Sequence, residues 1–319
     1  MTFYVIKRIL LVIPIVICVS FIVFALVDFQ PGDVVDLLTT SEMTPEEVAD
    51  LRSYYDLDKP MIYRYGKYMF RLVQGDLGVS LIGGAKIWDT YIYRLPNTLK
   101  LSLTGLIVGV VIALPLGIFA AKRSGKISDN IVTVVVVVGV SMPGFWLALM
   151  LLNFFSLKLN WLPAGTMDYG IRSYILPTIC SALGILSSAT RQTRSSMLDV
   201  LRADYLRTAR AKGVPEKMVI RKHALGNALI PIVTVVGGSL SHTLAGSVIT
   251  EQIFAWPGVG RMATEAIQQR DTPVVLGTLI MTTTVYVLIQ ILVDITYAFV
   301  DPRIKSRYAT NRKRRKYAG

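Results

Sequence analysis

Charge is scarce in this chain of 319 residues: 17% of it is charged, where a soluble domain carries about a quarter. Cysteine is nearly absent, and Cys18 and Cys180 both lie inside apolar runs. That excludes a disulfide scaffold and a thiolate metal site. No G-x-x-x-x-G-K-[ST] cradle occurs: Gly125-Lys126 is followed by Ile127, and Gly84-Ala85-Lys86 has the wrong order. Without that cradle the chain is expected not to hydrolyse ATP itself. Acid is also short against base, 21 residues to 34, for a formal charge of +13, which on a soluble protein would suggest nucleic acid. What is plentiful is hydrocarbon. The 53% of hydrophobic residues gather in long, nearly charge-free runs, which rules out a disordered chain and a small secreted fold. They predict a polytopic membrane protein whose basic loops face an anionic leaflet rather than nucleic acid.

A helix needs roughly 20 apolar residues to cross a ~30 Å hydrocarbon core. Six runs qualify or nearly so: Ile9–Val27, Leu101–Ala121, Ile131–Ser156, Tyr174–Ala189, Ala224–Ile249 and Val274–Val300. The fourth is short and broken by Pro177 and Gly184, which suits a helix packed inside a bundle, where neighbours satisfy the freed backbone. The first follows Lys7-Arg8 but lacks a small-x-small cleavage site, so a retained helix is expected rather than a signal peptide. With the N-terminus inside, segments 1–8, 122–130, 190–223 and 301–319 hold 22 of the 34 Lys and Arg residues. The asymmetry places both termini in the cytoplasm.

Two connections are longer than joining helices requires. Residues 29–97 lie outside by this topology. Thr44-Pro45-Glu46-Glu47 supplies an N-cap, a proline at the first helical position and a capping-box Glu. Asp58-Lys59-Pro60 and Gly75-Asp76-Leu77-Gly78 read as turns. Such a domain serves either as a lid over helix ends or as a docking surface. The second connection, residues 190–223, is cytoplasmic. Leu198, Leu201 and Tyr205 recur at i, i+3, i+7 and predict one helical stripe. Gly213 ends that helix as the C′ residue, and Pro215 opens a second helix beside Glu216. An interfacial helix on anionic lipid is one reading. The small Ala209 and Ala211 among arginines favour docking against a protein.

Thr208-Ala209-Arg210-Ala211-Lys212-Gly213, then His223-Ala224-Leu225 and Asn227-Ala228-Leu229-Ile230-Pro231, resemble the cytoplasmic signature of ABC-importer permeases. More narrowly, the chain resembles the first permease subunit of dipeptide, oligopeptide and nickel importers. Pro31-Gly32-Asp33, Leu57–Pro60, Gly75–Gly78, Arg94–Thr98, Ile253–Gly260 and Asp301-Pro302-Arg303 agree in order and spacing. The general signature opens with Glu-Ala-Ala; here Arg207, Thr208 and Ala209 stand in those places. The resemblance implies an all-α, six-span type I importer permease with an extracytoplasmic insertion between helices 1 and 2. Its parts would be a first helix (1–28), the insertion (29–97), a five-helix core (98–303) and a basic tail (304–319). It further implies a heterodimer with a second permease, two ATPase subunits that bind ATP and Mg, an extracytoplasmic solute-binding protein, and the inner membrane of a prokaryote. No cofactor or nucleic acid is expected on the chain itself. The ATPase contact falls on Tyr205, Arg207, Thr208, Ala209, Arg210, Ala211, Lys212, Gly213 and Pro215. The binding-protein contact falls on Gly75, Asp76, Gly78 and Ser80.

On the fifth run, Thr234, Gly238, Ser241 and Ala245 share one face, with His242 beside it. Small and polar faces belong inside a bundle, either lining a passage or packing tightly. Asp294 is an intramembrane carboxylate, about two turns from the end of the sixth run, where an ion pair is the favoured reading. Gly237-Gly238-Ser239 with His242 would also fit an intramembrane serine protease. However, Leu240 follows the serine where glycine is needed, and no oxyanion site is evident. An ion-driven carrier would show inverted repeats, and none is apparent. The substrate class, peptide rather than nickel chelate, glutathione or oligosaccharide, comes from the resemblance alone.

Overall fold

The computed structural model describes residues 2–29, 35–36, 39 and 43–300, leaving aside the side chains of residues 2–9, 230, 240–242, 244–246, 294 and 297–300. Among the described residues, eleven α-helices have eight residues or more: α1 Thr2–Asp28, α2 Pro45–Tyr54, α3 Met61–Val73, α4 Ile87–Lys122, α5 Ile127–Ser141, α6 Gly144–Leu151, α7 Ile171–Leu201, α8 Asp204–Ala211, α9 Leu225–Ile253, α10 Val259–Gln268 and α11 Thr272–Val300. Among the described residues there is no strand, only the isolated bridge Val79–Lys86. The all-α, six-span expectation stands: among the described residues four helices are long and apolar enough to cross a membrane, and the count is six when each of two bent pairs is taken as one span.

One of those pairs corrects the sequence reading. Ile131–Ser156 is not one straight span; it is α5 followed by α6 and its π-helical extension Leu152–Lys158, bent by 98°. The cause is local. Met142 precedes Pro143, and proline pushes its predecessor out of the helical region; Met142 sits at φ −76°, ψ 128°.

The chain divides into two compact units, residues 1–98 with 257–288, and residues 99–256 with 289–319. In the first, α2 starts as the sequence predicts. The Thr44 hydroxyl accepts the Glu47 N–H at 3.3 Å, and the Glu47 carboxylate accepts the Thr44 N–H at 2.7 Å. That backbone bond, with the Thr44 hydroxyl adding to it, holds the Glu47 carboxyl below its ordinary pKa. The core of this unit gathers Leu77, Ile87, Met262, Ala266, Val274 and Val275.

In the second unit α7 is the central helix, burying Leu176, Pro177, Ala182, Ile185, Ala189 and Met197. Helix α4 approaches it through glycines four and eight residues apart. A Cβ at Gly105 would meet Ser181 at 2.7 Å, one at Gly109 the Ala182 carbonyl at 3.0 Å, and one at Gly117 Thr193 at 2.5 Å. Small residues at this spacing let two membrane helices bring their backbones together. The weak fourth run is thus a buried span, and its polar residues serve close packing.

Candidate functional site

The 190–223 segment folds differently from its sequence pattern in one respect. Helix α7 runs on to Leu201 and stops; Ala203 is extended (φ −71°, ψ 142°), and α8 starts at Asp204. Leu198, Leu201 and Tyr205 therefore do not share one helix. Leu206, fully buried, joins Met197, Val219 and Ala224 in a core against which Leu198 and Leu201 pack. Periodicity favoured the wrong register because Tyr205 looks as apolar as Leu206 when only the pattern is counted. Tyr205 is instead 43% exposed, and its hydroxyl accepts from the Asn227 amide at 2.8 Å.

Gly213 is the C′ residue after α8, with φ +76°, a conformation unfavourable for side chains bearing a Cβ. Its N–H bonds the Arg210 carbonyl at 2.9 Å, and Val214 N–H reaches the Ala209 carbonyl at 3.3 Å. Arg210 and Glu216 then close the turn as a two-pronged ion pair, both bonds 3.0 Å. The pair is largely solvated, so it sets geometry more than stability. From Glu216 the chain passes through the π-helical Val219–Ala224 directly into α9.

Of the residues expected to meet an ATPase, Tyr205, Arg207, Thr208, Arg210, Ala211, Lys212, Gly213 and Pro215 are exposed, and Ala209 packs inward against the Leu206 core. Nothing in the structure lies within 4 Å of a Cβ placed at Gly213. The segment is thus an exposed, cation-rich knuckle with a glycine at its tip.

A clasp beneath it was not apparent from sequence. Asp129 at the start of α5 is 1% exposed. It receives Nε and Nη2 of Arg194 on α7 at 2.6 and 2.7 Å, and the Gly125 N–H at 3.0 Å. The two residues are 65 positions apart, so the sequence shows only two charges in separate connections.

On α9, Thr234 is exposed and a Cβ at Gly238 would meet nothing. The side chains of Ser241, His242 and Ala245 lie outside the described residues, as does that of Asp294. A cavity of about 580 Å³ opens on another side of α9, where Ser239, Thr243 and Thr250 face Ser181, Ser188 and Arg191 of α7. At 3.6 residues per turn, that side is well round the helix from Thr234 and Gly238.

In the first unit, the Gly75–Ser80 block is a fixed turn. Gly75 and Gly78 have φ of +82° and +83°, and the Asp76 carboxylate accepts the Gly78 N–H at 2.8 Å. The Ser80 hydroxyl is committed to buried Asp271 at 2.5 Å, leaving Gly75, Asp76 and Val79 as the exposed residues of the block. Two other blocks meet each other. Asn97 donates to the Pro257 carbonyl at 3.0 Å, Thr98 accepts the Val259 N–H at 2.9 Å, and Arg94 bonds Glu265 at 2.9 Å. They fix the start of α10.

Apolar spans, a close-packed glycine seam between α4 and α7, the open Thr234 and Gly238 positions of α9 and an exposed basic knuckle make up a membrane transport component. The family described as binding-protein-dependent transport system inner membrane component matches residues 113–306, and its N-terminal membrane component matches residues 1–103. The chain belongs to that family, which makes it an ABC-importer permease, a non-catalytic subunit. It is 39% identical to the dipeptide transport system permease protein DppB of Alkalihalophilus pseudofirmus, over 95% of this chain and 99% of that one. It is 36% identical to the oligopeptide permease AppB of Bacillus subtilis, over 96% of this chain and 100% of that one. With the glutathione permease GsiC of an Escherichia coli strain it shares 37% identity, over 95% and 98%. An inward-facing structure of the MetNI methionine ABC transporter shares the fold, with a TM-score of 0.55 at 18% identity, over 67% of this chain and 97% of that one.

Proposed function

We propose that the chain forms half of the passage of an importer for short peptides, paired with a second permease and driven by two ATPase subunits. An extracytoplasmic binding protein delivers the solute. The observation that carries this reading is the continuous helical path from the knuckle through Val219–Ala224 into α9, which bends by 55° at Pro231 before it reaches Thr234 and Gly238. A displacement of the knuckle moves α9 with it. The open Thr234 and Gly238 side of α9 is the face that would line a passage shared with the second permease. The three relatives named above carry dipeptide, oligopeptide and glutathione in their names, and all three solutes are peptides.

The test is uptake of labelled di- and tripeptides by cells carrying the whole transporter, with and without this subunit. Uptake requires the subunit and ATP, and it stops when the partner ATPases lose their phosphate-binding lysines. Uptake that survives that change would overturn the reading. The proposed membrane is the inner membrane of a prokaryote, with both termini in the cytoplasm, as the basic residues indicate. Single cysteines at Ser53 and Asp168 should react with an impermeant maleimide in intact cells, and one at Ser128 only after permeabilisation. Labelling at Ser128 in intact cells would invert the topology.

A further inference from the structure

The first unit holds a cavity of about 440 Å³ that no transport role accounts for. Its apolar floor includes Phe24 near the end of α1 and Leu276 near the start of α11. Both helices meet the length and hydropathy of a membrane span, so the cavity sits where two spans reach the membrane surface. One wall is the cationic side of α3, where Arg64, Lys67 and Arg71 recur at i, i+3, i+7, and Arg270 completes it.

Two of these cations are already matched. Arg64 bonds Asp28 at 2.5 Å, and Lys67 bonds Asp56. Arg71 and Arg270 have no ion pair among the described residues. The carboxylate left in the lining, Asp76, already accepts the Gly78 N–H. Arg71 and Arg270 thus line the cavity with charge that no described carboxylate matches, which points to an anionic ligand.

The opposite side of α3 carries Ile62, Phe70 and Val73, which are 74%, 69% and 84% exposed. The same helix leans on α1, where Tyr65 stacks edge-on against Phe21 and Phe24 and donates to the Ile17 carbonyl at 3.0 Å. An amphipathic helix of this kind lies in the membrane interface with its apolar side toward acyl chains. We propose that the cavity holds the phosphate headgroup of an anionic phospholipid, bound by Arg71 and Arg270. Guanidinium groups match phosphate oxygens in geometry and charge, and the volume suits a headgroup with its acyl chains left outside.

The experiment uses the assembled transporter, released from nanodiscs of equal phosphatidylglycerol and phosphatidylcholine, with native mass spectrometry counting the lipids retained. The wild type should keep phosphatidylglycerol in preference to phosphatidylcholine. Arg71→Ala with Arg270→Ala should lower that retention about 25-fold, at roughly fivefold for each cation. The Arg71→Lys/Arg270→Lys pair should keep most of it. Arg71→Gln keeps most of the side-chain volume and should lower retention about fivefold, so it decides the matter if the double alanine variant fails to fold. Equal retention of the two lipids by the wild type, or undiminished phosphatidylglycerol in Arg71→Gln, would overturn the assignment. So would thermal stabilisation by inorganic phosphate in phosphatidylcholine discs equal to that from phosphatidylglycerol, because the ligand would then be free phosphate.

Discussion

Gly213→Asp is expected to abolish peptide uptake while the transporter still assembles. The residue adopts φ +76°, so any Cβ there adds about 1 kcal/mol of backbone strain. Nothing surrounds the added atom, so the fold itself has little else to resist. The new carboxylate would project from the tip of the knuckle beside Arg210 and Lys212. There it would compete with Glu216 for Arg210, which now holds the turn with two bonds of 3.0 Å. It would also place bulk and negative charge at the proposed ATPase contact. Uptake should fall at least 100-fold while the ATPase subunits still copurify in part. Gly213→Asn separates the causes, because asparagine tolerates this backbone region at the same size without charge. It should fold well and keep intermediate uptake. Normal uptake by Gly213→Asp would remove the coupling role from the knuckle.

Arg194→Ala is expected to have the largest effect on stability. Its partner Asp129 is 1% exposed and would be left with the Gly125 N–H alone. Breaking a buried pair from one side costs roughly 3–5 kcal/mol. Arg194 is itself 32% exposed, and water reaching the site brings the expected loss to about 2–3 kcal/mol. The visible result should be a lower melting temperature in detergent and reduced uptake, since the turn joining α4 to α5 would no longer be tied to α7. Asp129→Asn should lose less, because the amide still accepts from Arg194 and Gly125. The double variant Asp129→Asn/Arg194→Gln should be milder than Arg194→Ala, since it leaves no uncompensated charge. If Arg194→Ala melts within a degree of the wild type, the clasp is not structural.

The spans were legible in sequence because burial in lipid demands long apolar runs, and length alone fixes how many residues a helix needs. The capping box at Thr44 was legible for a related reason: its donors and acceptors lie within four residues of each other. Gly213 could be placed because only glycine is at ease where a helix ends in the left-handed region. Helix α3 went unread, since its Arg, Lys and Tyr residues hide the apolar side formed by Ile62, Phe70 and Val73.

What sequence by itself determined was the membrane class, the position of most helices, the family and the place of the basic knuckle, all set by local chemistry or by ordered motifs. Tertiary structure alone decided the 98° bend after Ser141, the inward turn of Leu206 in place of Tyr205, and the glycine seam between α4 and α7. It also decided the joining of Asp129 to Arg194, of Ser80 to Asp271, and of Arg94 to Glu265. Each of these pairs residues dozens to nearly two hundred positions apart. Hydropathy and periodicity sum over neighbours along the chain, so they carry no information about which distant group will satisfy a buried charge.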